Sequence, residues 1–119
     1  MSRIDVLWEQ EVAAYFQSLG INQGPGDIQY RLIVLVLASN EGGVTQFSDI
    51  RTYTDRIADR GSVASKLKTV FLLDGLAERV QRGGYVVTDK GLAAARFIQE
   101  SGKFYKRSTK IAAIIERMP

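Results

Sequence analysis

Apolar residues recur at intervals of three and four along most of the chain, a spacing that places them on one face of a helix. Around residues 76–88 they are instead branched or aromatic and flank Gln-Arg-Gly-Gly, which is typical of two strands joined by a tight turn. The predicted elements in chain order are helix 4–19, helix 28–39, a short strand at Val44–Thr45, helix 46–53, helix 62–74, strands 76–80 and 85–88, helix 90–100 and helix 103–118. The apolar spacing allows helix 46–53 to continue to Ala58.

Capping residues and glycines indicate where these helices begin and end. Asp27 can cap the second helix, and Gly75 stands where a residue in the left-handed conformation usually ends a helix. Gly61 and Ser62 indicate a break followed by a new cap. Gly102 is expected to interrupt the two C-terminal segments, which gives two helices there.

Three helices followed by a two-stranded hairpin form the arrangement of a winged helix. The chain is therefore predicted to have a mainly α fold with a small β-hairpin (α+β), a winged helix-turn-helix with extra N- and C-terminal helices. Its length of 119 residues suits one domain, which we expect to span 1–119 with a core at about 28–100.

The chain contains neither cysteine nor histidine. Disulfides and thiolate metal sites are therefore excluded, and the commonest general base and neutral metal ligand are both missing. A metal site made of carboxylates alone would need clustered acids, which the sequence lacks. We therefore predict no catalytic site, no metal site and no cofactor.

The ends and the apolar runs of the sequence predict a cytoplasmic protein. Acidic residues interrupt the N-terminus within its first turns, so a secretory signal is not expected. The longest apolar run, Leu32–Ala38, is too short to cross a bilayer.

The charges are unevenly distributed, although the net charge is only +3. Residues 1–59 carry 4 basic and 8 acidic side chains, a net charge of −4, whereas residues 60–110 carry 11 basic and 4 acidic side chains, a net charge of +7. A basic block of this kind is either the footprint of a polyanion or an ordinary solvated surface.

Two segments resemble a known group of proteins. Leu72–Arg79 (LLDGLAER) looks like the end of a recognition helix that runs into a first wing strand, and Tyr85–Gly91 (YVVTDKG) looks like the second wing strand and the following helix start. Both are similar to segments of winged-helix transcription regulators of the MarR and PadR kinds. The resemblance covers about residues 28–100 and implies binding of double-stranded DNA by a homodimer.

The sequence also departs from these regulators. The wing has a Gly-Gly turn with only Arg82 near it, where MarR-type regulators usually carry an Asp-Arg pair on a longer wing. Segment 54–60 is long for the usual connection between the second and third helices. Small plasmid and phage proteins, including centromere-binding segregation proteins, carry similar compact winged helices.

Helix 62–74 is the predicted reading element, because an α-helix fits the major groove. Val63, Leu67, Val70 and Phe71 form its expected inner face, which turns hydroxyl and lysine side chains outward. Free N–H groups at its start favour a phosphate, and an arginine on a wing can reach the minor groove or the backbone. The predicted DNA-binding residues are Arg60, Ser62, Ser65, Lys66, Lys68, Thr69, Arg79 and Arg82.

The terminal helices 4–19 and 103–118 each carry an apolar stripe that needs a partner. We expect Phe104 and Tyr105, which lie among lysines, to pack on the first helix, with stacking on single-stranded DNA as the alternative. Regulators that resemble this chain often dimerise through terminal helices, so we predict a homodimer with its reading helices about 34 Å apart.

Three functions remain open at this point. The chain is a transcriptional regulator, a plasmid or phage segregation protein, or a protein-interaction winged helix without DNA binding. Modules of the last kind usually lack a basic reading face, whereas this sequence has Lys66, Lys68 and Arg82.

Overall fold

The computed structural model describes residues 4–118, which form five α-helices and one three-stranded antiparallel sheet. The predicted mainly helical α+β class is confirmed. The helices are α1 (Val6–Ser18), α2 (Ile28–Ser39), α3 (Phe47–Thr54), α4 (Arg60–Lys66) and α5 (Asp89–Glu116), with a 3₁₀ turn (Gly24–Gly26) before α2 and a π-helical segment (Leu67–Leu72) directly after α4. The strands are β1 (Thr45–Gln46), β2 (Ala77–Gln81) and β3 (Gly84–Val87).

Helix α2 lies at the centre of the core, as its apolar run predicts. Leu32, Ile33, Val34 and Leu37 are fully buried, and the helix contacts α1, α3, α4, α5 and β3. Removing so much apolar surface from water is the main favourable term for the fold. The other buried apolar residues of the core come from every later helix, with Ile50, Val63, Leu67, Phe71 and Ile98 among the largest.

The local start and stop signals of the sequence are largely confirmed. The Asp27 carboxylate accepts the backbone N–H groups of Gln29 and Tyr30 and so caps α2. Gly75 has a φ of +73°, the left-handed conformation that a side chain would disfavour. Thr88 caps α5 by accepting the N–H of Gly91.

The sheet has the order β1-β3-β2, so the hairpin strand β3 is central. Thr45 pairs with Tyr85, and Ala77 pairs with Val87 on the other side of β3. The predicted short strand and the predicted hairpin are therefore both confirmed, with ends shifted by about one residue.

Three predicted boundaries are wrong. Helix α3 ends at Thr54 instead of continuing to Ala58, and the Asp59 side chain, not Ser62, caps the next helix by accepting the Ser62 N–H at 2.7 Å. Gly61 therefore lies inside α4. The C-terminal residues form one helix of 28 residues, because Gly102 does not interrupt α5.

A buried ion pair joins α1 to α2. Arg31, only 1 % exposed, donates from Nε and Nη2 to one carboxylate oxygen of Glu9, at 2.9 and 2.8 Å. Its Nη1 donates to the Pro25 carbonyl and to the Ser101 hydroxyl of α5. Burial raises the pKa of Glu9 and lowers that of Arg31, because desolvation disfavours both charges. This one side chain therefore links α1, the 3₁₀ turn, α2 and α5.

Aromatic packing fixes α1 on α5. The rings of Trp8 and Tyr15 lie 5.5 and 4.9 Å from that of Tyr105, whose hydroxyl donates to Glu11 at 2.7 Å. Phe104 packs against Phe16 at 6.2 Å between ring centroids. The expectation that Phe104 and Tyr105 pack on the first helix is confirmed.

Two glycines of α5 predict opposite effects of a methyl group. A Cβ on Gly91 would overlap the carbonyl oxygen of Leu76 and lie 2.7 Å from Val87 Cγ2, whereas a Cβ on Gly102 would lie 3.5 Å from Trp8 Nε1, an ordinary contact. We expect Gly91→Ala to destabilise by about 1–3 kcal/mol through overpacking. Gly102→Ala is expected to stabilise by about 0.5–1 kcal/mol through helix propensity. Urea denaturation of both variants measures this, and a stabilised Gly91→Ala would contradict the close packing.

Among residues 4–118, no helix is both long enough and apolar enough to cross a membrane.

Candidate nucleic-acid interface

Helix α4 and the π-helical segment form one continuous rod, Arg60–Leu72, which we call the α4–π segment. Its inner side consists of Val63, Leu67 and Phe71, all at most 1 % exposed and spaced by four. An α-helix would let positions spaced by four wind gradually around its axis. The wider turn of a π-helix opposes that drift, so the inner residues stay in line.

The outer side of the α4–π segment follows the same interval. Gly61, Ser65 and Thr69 are exposed and form a column beside the exposed Lys68, and the next position at this interval, just beyond the segment, is Leu73, a large apolar side chain that is 77 % exposed. The Thr69 hydroxyl donates to the Ser65 carbonyl at 2.8 Å, so it remains close to the rod. The column is thus narrow, and its polar side chains are short. A small, hydroxyl-bearing surface of this kind allows another backbone or a base edge to approach closely.

Two of the predicted site residues turn towards α2 instead. Lys66 Nζ lies 2.5 Å from Asp27 Oδ2 in an ion pair whose side chains are 27 % and 18 % exposed. The Ser62 hydroxyl donates to Gln29 Oε1 at 3.2 Å. The positive charge of Lys66 is therefore already matched by the carboxylate that caps α2. Lys66 and Ser62 hold the α4–π segment against α2.

A carboxylate already lies at the start of α4, where the sequence suggested a phosphate. The Asp59 carboxylate accepts the Ser62 N–H and places a negative charge at this end of the helix. A phosphate there would meet the carboxylate at short range, so the structure removes the basis for a phosphate site at this helix start.

Arg60 lies at the junction of three elements. Its guanidinium stands 4.8 Å from the centre of the Phe47 ring, an arrangement that orients the cation without neutralising it. The Phe47 N–H donates to the Gly83 carbonyl at 2.8 Å, which ties the hairpin turn to the start of α3. Arg60, Phe47 and Gly83 line one open concavity of about 340 Å³ together with Gln46, Ser48 and Arg51.

The hairpin carries the two remaining predicted cations. Arg79 on β2 and Arg82 at the turn are both exposed. A β-bulge between Arg79 and Gln81 leaves Val80 without a regular partner on β3, and such bulges bend an edge strand and redirect its side chains. The three ion pairs found within residues 4–118 involve neither arginine.

Acidic side chains lie beside this surface. Asp55 and Asp59 are exposed in the connection from α3 to α4, Asp74 follows the α4–π segment, and Glu78 lies on β2. A polyanion would therefore have to approach between them, along the column and the hairpin turn. No group of three or more metal-ligating side chains occurs within residues 4–118.

The structure brings six of the eight predicted residues to the outer surface: Arg60, Ser65, Lys68, Thr69, Arg79 and Arg82. Gln46 and Ser48, which line the concavity with Arg60, are site residues that the sequence did not predict. No local pattern shows this, because the concavity depends on the contact between Phe47 and the distant Gly83. The position of Gly61 in the column was not predicted either, because Gly-Ser is a common signal for a break between helices.

Comparisons with known proteins found no family model, no curated protein and no solved structure that matches this chain.

Proposed function

We propose that the protein binds double-stranded DNA sequence-specifically as a homodimer and acts as a transcriptional regulator in the cytoplasm. The α4–π segment enters the major groove, and the β2–β3 hairpin contacts the neighbouring backbone or minor groove. Arg60, Lys68, Arg79 and Arg82 supply the positive charge, while Ser65 and Thr69 face the base edges.

The observation that supports this proposal most directly is the outer column of the α4–π segment. Its exposed positions Gly61, Ser65 and Thr69 are small or hydroxyl-bearing, Lys68 lies alongside, and no acid lies within the column, which is followed by the exposed apolar side chain of Leu73. A helix that only needs a solvated side has no requirement for such a narrow surface. A helix inserted into a groove about 12 Å wide does, because it must approach the base edges closely.

The position of Arg60 gives further support. It reaches the concavity shared by the start of α3 and the hairpin turn, so a cation lies between the reading column and the wing. A sugar-phosphate strand that leaves the major groove on this side would pass from Lys68 over Arg60 towards Arg82. Arg51 does not join this path freely, because it donates to the Ala58 carbonyl at 2.7 Å.

The experiment that tests the proposal is a fluorescence anisotropy titration at several KCl concentrations. Two duplexes are compared, one with the sequence upstream of the gene for this protein and one with the same bases in random order. Four cations per subunit make eight phosphate contacts in a dimer, so log K should fall with log salt with a slope of about −7. The upstream duplex should bind at least about tenfold more tightly than the random duplex.

The other functions give different results in the same titration. A protein-interaction winged helix binds neither duplex, or binds with no dependence on salt, and this result would overturn the proposal. A segregation protein binds repeated sites cooperatively, so a steep, stepwise titration on DNA with several copies of the site would replace regulation by that role.

A further inference from the structure

The distal part of α5 leaves the body of the molecule. Beyond Ser108 every described residue is exposed, including Ile111, Ile114 and Ile115 of the helix and Met118, two residues after its end. A helix of 28 residues is about 42 Å long, and the longest dimension of the molecule is 60 Å. Four large aliphatic side chains therefore face water on a projecting rod.

These side chains continue a stripe that begins next to the core. Phe97, Phe104 and Ile111 are spaced by seven along α5, Met118 keeps this interval just after the helix end, and all four are between 46 and 65 % exposed. Apolar residues with a period of seven keep to one side of a helix only when it supercoils gently around another helix. The stripe is thus typical of a helix that packs lengthwise against a partner helix.

The proximal end of the same stripe is concave. Phe16, Phe97, Phe104 and Ser101 line a groove of about 290 Å³ between α1 and α5, and Glu100 and Arg107 stand at its edges. Nearly all of its lining is apolar. One chain therefore offers both a protruding aliphatic end and an apolar groove, and Phe97 and Phe104 of the groove precede Ile111 and Met118 of that end by 14 residues.

We propose that two copies of this chain pack their α5 helices antiparallel, so that Ile111–Met118 of each copy fills the Phe16–Phe97–Phe104 groove of the other. A single antiparallel register places Phe104 opposite Ile111 and Phe97 opposite Met118 of the second copy. A parallel pair would instead set groove against groove and leave both grooves unfilled. The antiparallel arrangement is isologous, as a two-fold dimer requires.

The area available is sufficient for a dimer. The six exposed large apolar side chains between residues 97 and 118 present on the order of 600 Å² per chain, close to the 800 Å² per partner of a standard interface. This is also at the upper limit of the apolar patches that a monomer usually exposes. The six side chains are Phe97, Phe104, Ile111, Ile114, Ile115 and Met118.

The proposed function requires a second copy of the chain, and the residues that would bind this copy are far from the DNA-binding surface. The two terminal helices then have separate roles. Helix α1 packs within its own chain, on α2 and α5, and contributes Phe16 to the groove, whereas α5 supplies the contact with the second copy.

The test begins with the oligomeric state in the absence of DNA. Multi-angle light scattering of the wild type at 100 µM should give twice the chain mass of 13.2 kDa. Ile111→Glu/Ile115→Glu should raise the dissociation constant at least about 100-fold and give a monomer. The matched control is Thr109→Glu/Ala113→Glu, which adds the same charge on the opposite face of α5 and should remain a dimer.

Disulfide cross-linking then tests the orientation, since the chain has no cysteine of its own. Phe104→Cys mixed with Ile111→Cys should form a cross-linked dimer under oxidation, whereas Ile111→Cys alone should not. In the proposed register the two substituted positions of an Ile111→Cys dimer lie about 10 Å apart along the helices, too far for a disulfide. Efficient cross-linking of Ile111→Cys with itself would overturn the antiparallel arrangement.

Failure of this inference can be told apart from failure of the proposed function. A wild-type monomer at 100 µM, or a dimer that Ile111→Glu/Ile115→Glu leaves intact, overturns the inference even if the protein still binds DNA. A dimer that responds to the variants as stated but binds no duplex supports the interface and overturns DNA binding.

Discussion

Replacing Arg31 with methionine is expected to lower the free energy of unfolding by about 3–5 kcal/mol, because it leaves the Glu9 carboxylate buried without a counter-charge. Glu9 is 8 % exposed, and desolvation already raises its pKa. The same substitution removes the donors that serve the Pro25 carbonyl and the Ser101 hydroxyl. Urea denaturation followed by circular dichroism measures the effect.

Two further variants make this result specific. Glu9→Leu/Arg31→Met removes both charges, so it should be more stable than Arg31→Met alone, although the Pro25 carbonyl still lacks a donor. Arg96→Met removes an exposed arginine from α5 and should change the stability by less than about 0.5 kcal/mol. If Arg31→Met were no more harmful than Arg96→Met, the buried pair would not hold the helices together.

Removal of the two exposed cations Lys68 and Arg82 is expected to weaken binding of double-stranded DNA on the order of 1,000-fold near 100 mM salt. A dimer loses four phosphate contacts in Lys68→Ala/Arg82→Ala, so the salt slope should fall by about three to four units. Both side chains are exposed and outside the ion pairs found within residues 4–118. Stability should therefore remain close to that of the wild type.

The matched control is Arg96→Ala/Lys106→Ala, which removes the same number of charges. Both side chains are exposed on α5, and Arg96 lies beside the end of α2, so neither belongs to the proposed DNA-binding surface. The salt slope should stay within about one unit of the wild type. Equal losses in both double variants would mean that overall charge, and not this surface, governs binding.

The fold was predictable where the deciding signals are local. Asp27 stands before an apolar run and Gly75 after one, so each signal involves only a few neighbouring residues. The structure shows the helix cap at Asp27 and the left-handed conformation at Gly75. Gly102 was misleading, because a glycine lowers helix propensity by only about 1 kcal/mol and tertiary packing can override that. Here Ile98 is buried in the core before it, and Tyr105 packs on Trp8 and Tyr15 after it. Sequence spacing alone does not show those contacts.

The candidate site was predictable only in part, for a related reason. The exposed positions Ser65, Lys68 and Thr69 follow from the apolar period of the segment. The ion pair of Lys66 does not follow from this period, because its partner Asp27 lies 39 residues earlier in the chain. The π-helical turn was also unforeseen, since Leu67–Leu72 has the composition of an ordinary α-helix. DNA binding and dimerisation stay predictions until the titration and the light scattering are done.

Under the proposed function, the π-helical turn makes the length of the chain, and not only its side chains, a determinant of the surface that faces DNA. Such a turn accommodates one residue more than an α-helix between the same two ends. A chain shorter by one residue at Leu67–Leu72 spans the same distance as a regular helix and keeps Val63 and Leu76 in the core. Only the outward positions inside the shortened stretch, at Lys68 and Thr69, would then change, so the loss of one codon would alter the reading surface and leave the rest of the fold in register.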